Sequence, residues 1–307
     1  MSNYIICARN QKGESFGSEP GKVNYLILGD AESDPKPDHI VSDKDFLSSL
    51  TSPAELRDVV IFVHGTDYTI GEVLDRHKLI KSNLQQQGYA GELISFDWPS
   101  NGMPLLYLDD RHDAKVTAMG LVKSGITLLA KQQGRGCILN VHAMAHSSGA
   151  YIIQESFNDS ETTRSTAEVN WTLSQLILFG GDVSSDSMSA TRGESVYRHC
   201  NRLTNYYNPH DAVLAISNAK RAGFKNRVGR IGLPSDVPQK AVNVHCGDYY
   251  KALGVNLEVR KGKQSHAWYF YSDVWWKDVY ETLMGNDDRN VIARRVLRDG
   301  TLFIQEV

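Results

Sequence analysis

The run VVIFVHGTD at 59–67 opens with an unbroken series of apolar, largely β-branched residues. That pattern suits a strand buried on both faces of a parallel sheet, which needs helices above and below it. Val73, His77, Ile80 and Leu84 follow at helical spacing, before Gly88, Gly91 and a second strand-like run, ELISFDW, at 92–98. The alternation continues. An amphipathic stretch near 111–132 (Met119, Val122, Ile126, Leu129) ends at Gly134, and CILNVHA opens a strand at 137. Further strands are expected at QLILFGG (175–181), NRLTNYY (201–207) and AVNVHCG (241–247), with helices at 150–157 and 274–284. This order predicts an α/β chain with one open, doubly wound, mostly parallel sheet, its site in loops just beyond the strand C-termini.

Residues 1–57 carry two short strand-like runs, Tyr4–Ala8 and Val23–Leu28, separated by GESFGSEPG, and then the polar stretch DAESDPKPDH. They read as an N-terminal β-hairpin and linker packed on the same domain, with the catalytic part at 58–307. A net charge of −3 is too balanced to suggest a nucleic-acid partner. The chain has no run of apolar residues long enough for a membrane span, and MSNYIICARNQKG lacks the basic and apolar regions of a secretory signal, so a cytoplasmic protein is expected. Cys7, Cys137, Cys200 and Cys246 are scattered singly, which suggests neither a zinc site nor a disulfide framework.

The strongest chemical signal is AHSSGA at 145–150, where a strand ends and a helix must begin. A sharp turn there lifts a serine hydroxyl above the sheet, provided small residues flank it two positions away on each side. Ala145 and Gly149 do so for Ser147, whereas Ser148 lacks that symmetry. A serine nucleophile needs a base and a group that orients the base. Asp211, in the turn-rich NPHD after a strand, is the preferred acid, with Asp182 after QLILFGG as its competitor; His266 in QSHAWYF is the preferred base. The developing oxyanion needs backbone donors, for which the amides of Ser148 and Thr66 are placed just after the nucleophile and just after the first buried strand. His142 and His146 have the H-x-x-x-H spacing of a zinc helix, but the span lies along a strand and the usual glutamate position holds Ala143, so no metal is expected.

Taken in order, HGTD at 64–67, FDWPS at 96–100, AHSSG at 145–149, NPHDAVL at 208–214 and SHAWYF at 265–270 resemble the serine α/β-hydrolases, and RVGRIG at 227–232 is similar to a bacterial subfamily of unknown function among them. The resemblance implies a single α/β-hydrolase domain with an eight-stranded type of sheet, a Ser147–Asp211–His266 triad, acyl transfer to water and no cofactor. The expected function is hydrolysis of a carboxylic ester in a small-molecule acyl substrate. Alternatives are a non-catalytic binding module, or an acyltransferase or peptidase with the same triad. Tyr68, Trp98, Met103, Leu105 and Tyr107 are the expected substrate contacts, the last three in an apolar loop that covers the mouth. The basic run at 219–230 suits a solvated face, and the aromatic cluster at 268–276 suits either an acyl pocket or helix packing.

Overall fold

A computed structural model describes residues 2–50, 57–100, 115–130, 139–163, 170–220, 226–254, 263–286 and 292–305. The chain opens with β1 (Ser2–Lys12) and β2 (Ser15–Gly29), an antiparallel hairpin that turns at Gly13, where φ is 59°. It is longer than the two apolar runs suggest, because GESFGSEPG itself pairs back through irregular register at Arg9. The expected linker holds β3 (Ile40–Val41) and α1 (Asp43–Leu50), whose Phe46 packs edge-on against Tyr4 at 5.6 Å.

The alternating part runs β4 (Val59–Val63), α2 (Ile70–Gln86), β5 (Glu92–Asp97), α3 (115–130), β6 (Val141–His146), α4 (Gly149–Thr162) and β7 (Leu173–Phe179). Then come α5 (Glu194–Arg198), β8 (Cys200–Tyr207), α6 (Ala212–Lys220), α7 (Val228–Ile231), β9 (Ala241–His245), α8 (Gly247–Ala252), α9 (Lys263–Ala267) and α10 (Asp273–Leu283). Two short strands, β10 (Arg294–Val296) and β11 (Leu302–Ile304), close the order.

Among the described residues, all the strands join one 11-stranded sheet in the order β10-β11-β9-β8-β7-β6-β4-β5-β1-β2-β3. Its interior is parallel, and the antiparallel pairs are β1–β2, β2–β3 and β10–β11 at the two ends. The hairpin is therefore part of the sheet, since β1 runs parallel to β5 from Tyr4↔Ile94 to Cys7↔Asp97.

Period-two alternation divides the core between the faces. Val59, Ile61 and Val63 of β4 share one cluster with Val122 and Ile126 of α3 and Ile152 and Phe157 of α4. Val60 and Phe62 share the other with Ile80 and Leu84 of α2 and Trp275, Trp276 and Val279 of α10. Helices thus cover both faces, as the unbroken β4 run requires. Fully burying one such side chain is worth about 1.5–3 kcal/mol. Helix α2 starts on a capping box in which Thr69 Oγ1 accepts from the Glu72 amide and Glu72 accepts from the Thr69 amide.

Candidate active site

Strand β6 ends at His146 and α4 begins at Gly149, so the chain must reverse within Ser147 and Ser148. Ser147 takes up the reversal with φ of 55°, in the left-handed region that a side-chain-bearing residue enters only at a cost of about 1–3 kcal/mol. Contacts explain the need for small neighbours. A Cβ on Gly149 would stand 2.3 Å from the Val63 carbonyl oxygen, and one on Gly65 would stand 2.7 Å from Ser147 Cβ. The loop after β4 therefore lies directly on the serine. Among the described residues, neither the Thr66 nor the Ser148 amide donates a hydrogen bond.

Asp211 and His266 meet at the same end of the sheet. Asp211 follows β8 and caps α6, its Oδ1 accepting from the Leu214 amide at 2.9 Å, while its Oδ2 accepts from His266 Nδ1 at 2.7 Å. Their segments are tied together as well, since Asn208 Nδ2 donates to the Ser265 carbonyl and the Ala212 amide to Ser265 Oγ, each at 3.0 Å. His266 stands on the short helix α9, where a loop histidine was expected. Burial disfavours its charged form, yet the charge and hydrogen bond of Asp211, with help from Asp182, raise its pKa above the ordinary histidine value. Its Nε2 is buried and makes no hydrogen bond.

His146 braces that imidazole from beneath. Its Nε2–H donates to the His266 carbonyl at 2.9 Å, and the two rings lie 4.6 Å apart. Burial, then the neighbouring His266 charge, hold the His146 pKa well below the usual range, so it stays neutral. Asp182 has a different partner, the Arg227 guanidinium, with Nε 3.1 Å from Oδ1. The segment after Arg227 is wedged between strand ends: a Cβ on Gly229 would meet the Gly181 amide nitrogen at 2.2 Å.

A buried polar network behind the β4 loop has no counterpart in the sequence reading. Arg9 of β1 donates through Nε to both carboxylate oxygens of Asp97 at 2.9 Å, and through Nη2 to the carbonyls of Tyr68 at 2.8 Å and Trp98 at 3.2 Å. Burial opposes a charged Asp97, but Arg9 and His64 outweigh it and hold its pKa below the ordinary carboxylate range. His64 Nδ1 donates to the Gly65 carbonyl at 2.7 Å. A lone arginine inside the apolar run YIICARN was the available signal.

The expected substrate contacts fare unequally. Trp98 requires a correction: it is fully buried, stacks on His64 at 5.5 Å and donates its indole N–H to the His64 carbonyl, so it supports the loop from behind. Tyr68 is half-buried beside His64. Met103, Leu105 and Tyr107 lie outside the described residues. Of the aromatic cluster, Trp268, Tyr269, Phe270, Trp275 and Trp276 are buried as packing for α10, and Tyr271 is 69% exposed.

A family profile described as alpha/beta hydrolase of unknown function (DUF900) matches residues 41–261. The chain belongs to this family. The match takes in Ser147 and Asp211, while Arg9 and His266 lie outside it. Among solved structures, a cutinase-like protein from Cryptococcus sp. is similar over 75% of this chain and 94% of its own, at 14% identity and a TM-score of 0.31. No curated protein matches. Along the chain, Ser147 follows β6, Asp211 follows β8 and His266 comes after β9.

Proposed function

We propose that the protein hydrolyses carboxylic esters of small molecules through an acyl-enzyme on Ser147. The observation that carries this reading is the 2.7 Å Asp211–His266 hydrogen bond, which leaves His266 Nε2 buried and unbonded at the end of the sheet where the strained Ser147 turn stands. Ser147 Oγ attacks the ester carbonyl carbon while its proton passes to His266 Nε2, and Asp211 stabilises the imidazolium. The carbonyl oxygen takes the displaced electron pair and accepts from the Thr66 and Ser148 amides, a contribution of about 3–4 kcal/mol per donor. The carbon–oxygen bond to the alcohol then breaks and His266 returns the proton to the departing alcohol. Water repeats the sequence on the acyl-enzyme, releasing acid and free Ser147. The Ser147–His266 hydrogen bond is not formed in this structure, as is common before substrate tightens such contacts.

Intact mass after brief fluorophosphonate treatment tests the reading. A single adduct on the native protein that is absent from Ser147→Ala supports an activated serine. No adduct on folded protein refutes it and favours a binding module.

A further inference from the structure

Half-buried Arg76 of α2 differs from the three fully buried arginines among the described residues. Arg9 pairs with Asp97, Arg227 with Asp182 and Arg294 with Asp278. Arg76 makes no ion pair among the described residues, and its Nη1 is buried without a hydrogen-bond partner. Its helix neighbours do not serve it: Glu72 is engaged with the Thr69 amide and hydroxyl at 2.8 Å each, and Asp75 is exposed. The guanidinium is held by aromatic residues, with Cζ 3.8 Å from the Phe270 centroid, 5.9 Å from that of Tyr68, whose hydroxyl accepts a hydrogen bond from it, and 6.0 Å from that of Tyr271.

Those rings locate it. Phe270 lies 5.0 Å from the His146 ring, itself packed on His266, and Tyr68 lies two residues beyond Thr66. Arg76 therefore stands where the oxyanion loop and the histidine segment converge. A guanidinium laid on an aromatic face directs its N–H groups outward in its own plane, and here the unpartnered Nη1 can donate to an anion's oxygen. We infer that Arg76 is an anion-recognition group of the substrate site, selecting esters that carry a carboxylate on the acyl or the alcohol part. This assignment rests on the hydrolase reading for its substrate, but the anion site itself can be tested without turnover.

Adipate is titrated by calorimetry into Ser147→Ala protein with and without Arg76→Met. Binding weakened about tenfold or more by Arg76→Met, with part restored by Arg76→Lys, is expected of a charge-recognising site. Kinetics then compare 4-nitrophenyl hydrogen adipate with 4-nitrophenyl methyl adipate, and 4-acetoxybenzoate with its methyl ester. One carboxylate ester should exceed its neutral partner by about tenfold in kcat/KM, and that ratio should fall towards one in Arg76→Met; the pair that responds says which part of the substrate bears the charge. Adipate affinity indifferent to Arg76, or a ratio unchanged in Arg76→Met, overturns the assignment even if neutral esters are turned over. Adipate binding that depends on Arg76 without turnover of any ester upholds the anion site and sinks the hydrolase reading.

Discussion

Replacing Arg9 by methionine keeps most of the side-chain volume and removes the one charge that, among the described residues, faces both oxygens of Asp97. The pair is almost wholly out of water, the Arg9 side chain 5% exposed and that of Asp97 0%. Deleting one partner of such a pair costs about 3–5 kcal/mol, because the other charge is left buried. Against a total stability of about 5–15 kcal/mol this is a large share, equivalent to a fall in Tm of about 5–8 °C for a chain of this size. Urea and thermal unfolding of Arg9→Met, Asp97→Leu and the double variant measure it. The double variant should recover most of the loss, since a packed apolar pair avoids desolvation altogether. The pH dependence gives a second check with a definite sign. In the native protein the Asp97 pKa is depressed, so its contribution is present above the unfolded value near about 3.9 and is lost as pH falls through the lower folded value. In Arg9→Met the folded pKa should instead be raised, so the deficit should shrink as pH falls from 7 towards 4. A single-variant cost under about 1 kcal/mol, or simple additivity in the double variant, would refute the reasoning.

Other outcomes follow from the site. Gly65→Ala should reduce ester kcat by about tenfold or more while the protein still folds, because the new Cβ would press on Ser147 Cβ at 2.7 Å; unchanged steady-state rates would contradict the packing argument. Asp211→Asn should lower kcat by about 10³–10⁴-fold, whereas Asp182→Asn should mainly lower stability by freeing Arg227, and the reverse ranking would exchange the two acids. Ester kcat/KM should rise with pH through an inflection above about 6.5, since neutral His266 is the active base and Asp211 raises its pKa; in Asp211→Asn the inflection should move down, as burial is then opposed only by the weaker pull of Asp182. A stopped assay across pH 5–9 decides it.

The alternating core was legible because a strand covered on both faces must be apolar throughout, as β4 is, and because helices over it carry their own period. The sharp turn at Ser147 was legible for a local reason: it tolerates only small residues two positions away, and those letters are close by in sequence. The Arg9–Asp97 contact was not, because it joins positions 88 apart and neither residue signals the other. Trp98 was misread through its place beside the mouth, since the loop backbone turns the indole inward to the His64 carbonyl. Strands β3, β10 and β11 span two or three residues, too few for a period to register, and they carry the sheet beyond the expected eight strands.

Strand β1 precedes the other strands of the sheet in chain order, yet it lies between β2 and β5. Its hairpin partner is available at once, whereas β5 follows some 80 residues later. Throughout that interval the apolar run of Tyr4–Ala8 presents an open edge to any other nascent chain. Arg9, next to that run, is then a solvated charge that discourages edge-to-edge pairing, and it becomes the clamp of the β4 loop only when Asp97 arrives. Arg9→Met with Asp97→Leu separates the two roles, since restored folded stability would leave the newborn edge unguarded, and the cost would appear as aggregation during refolding.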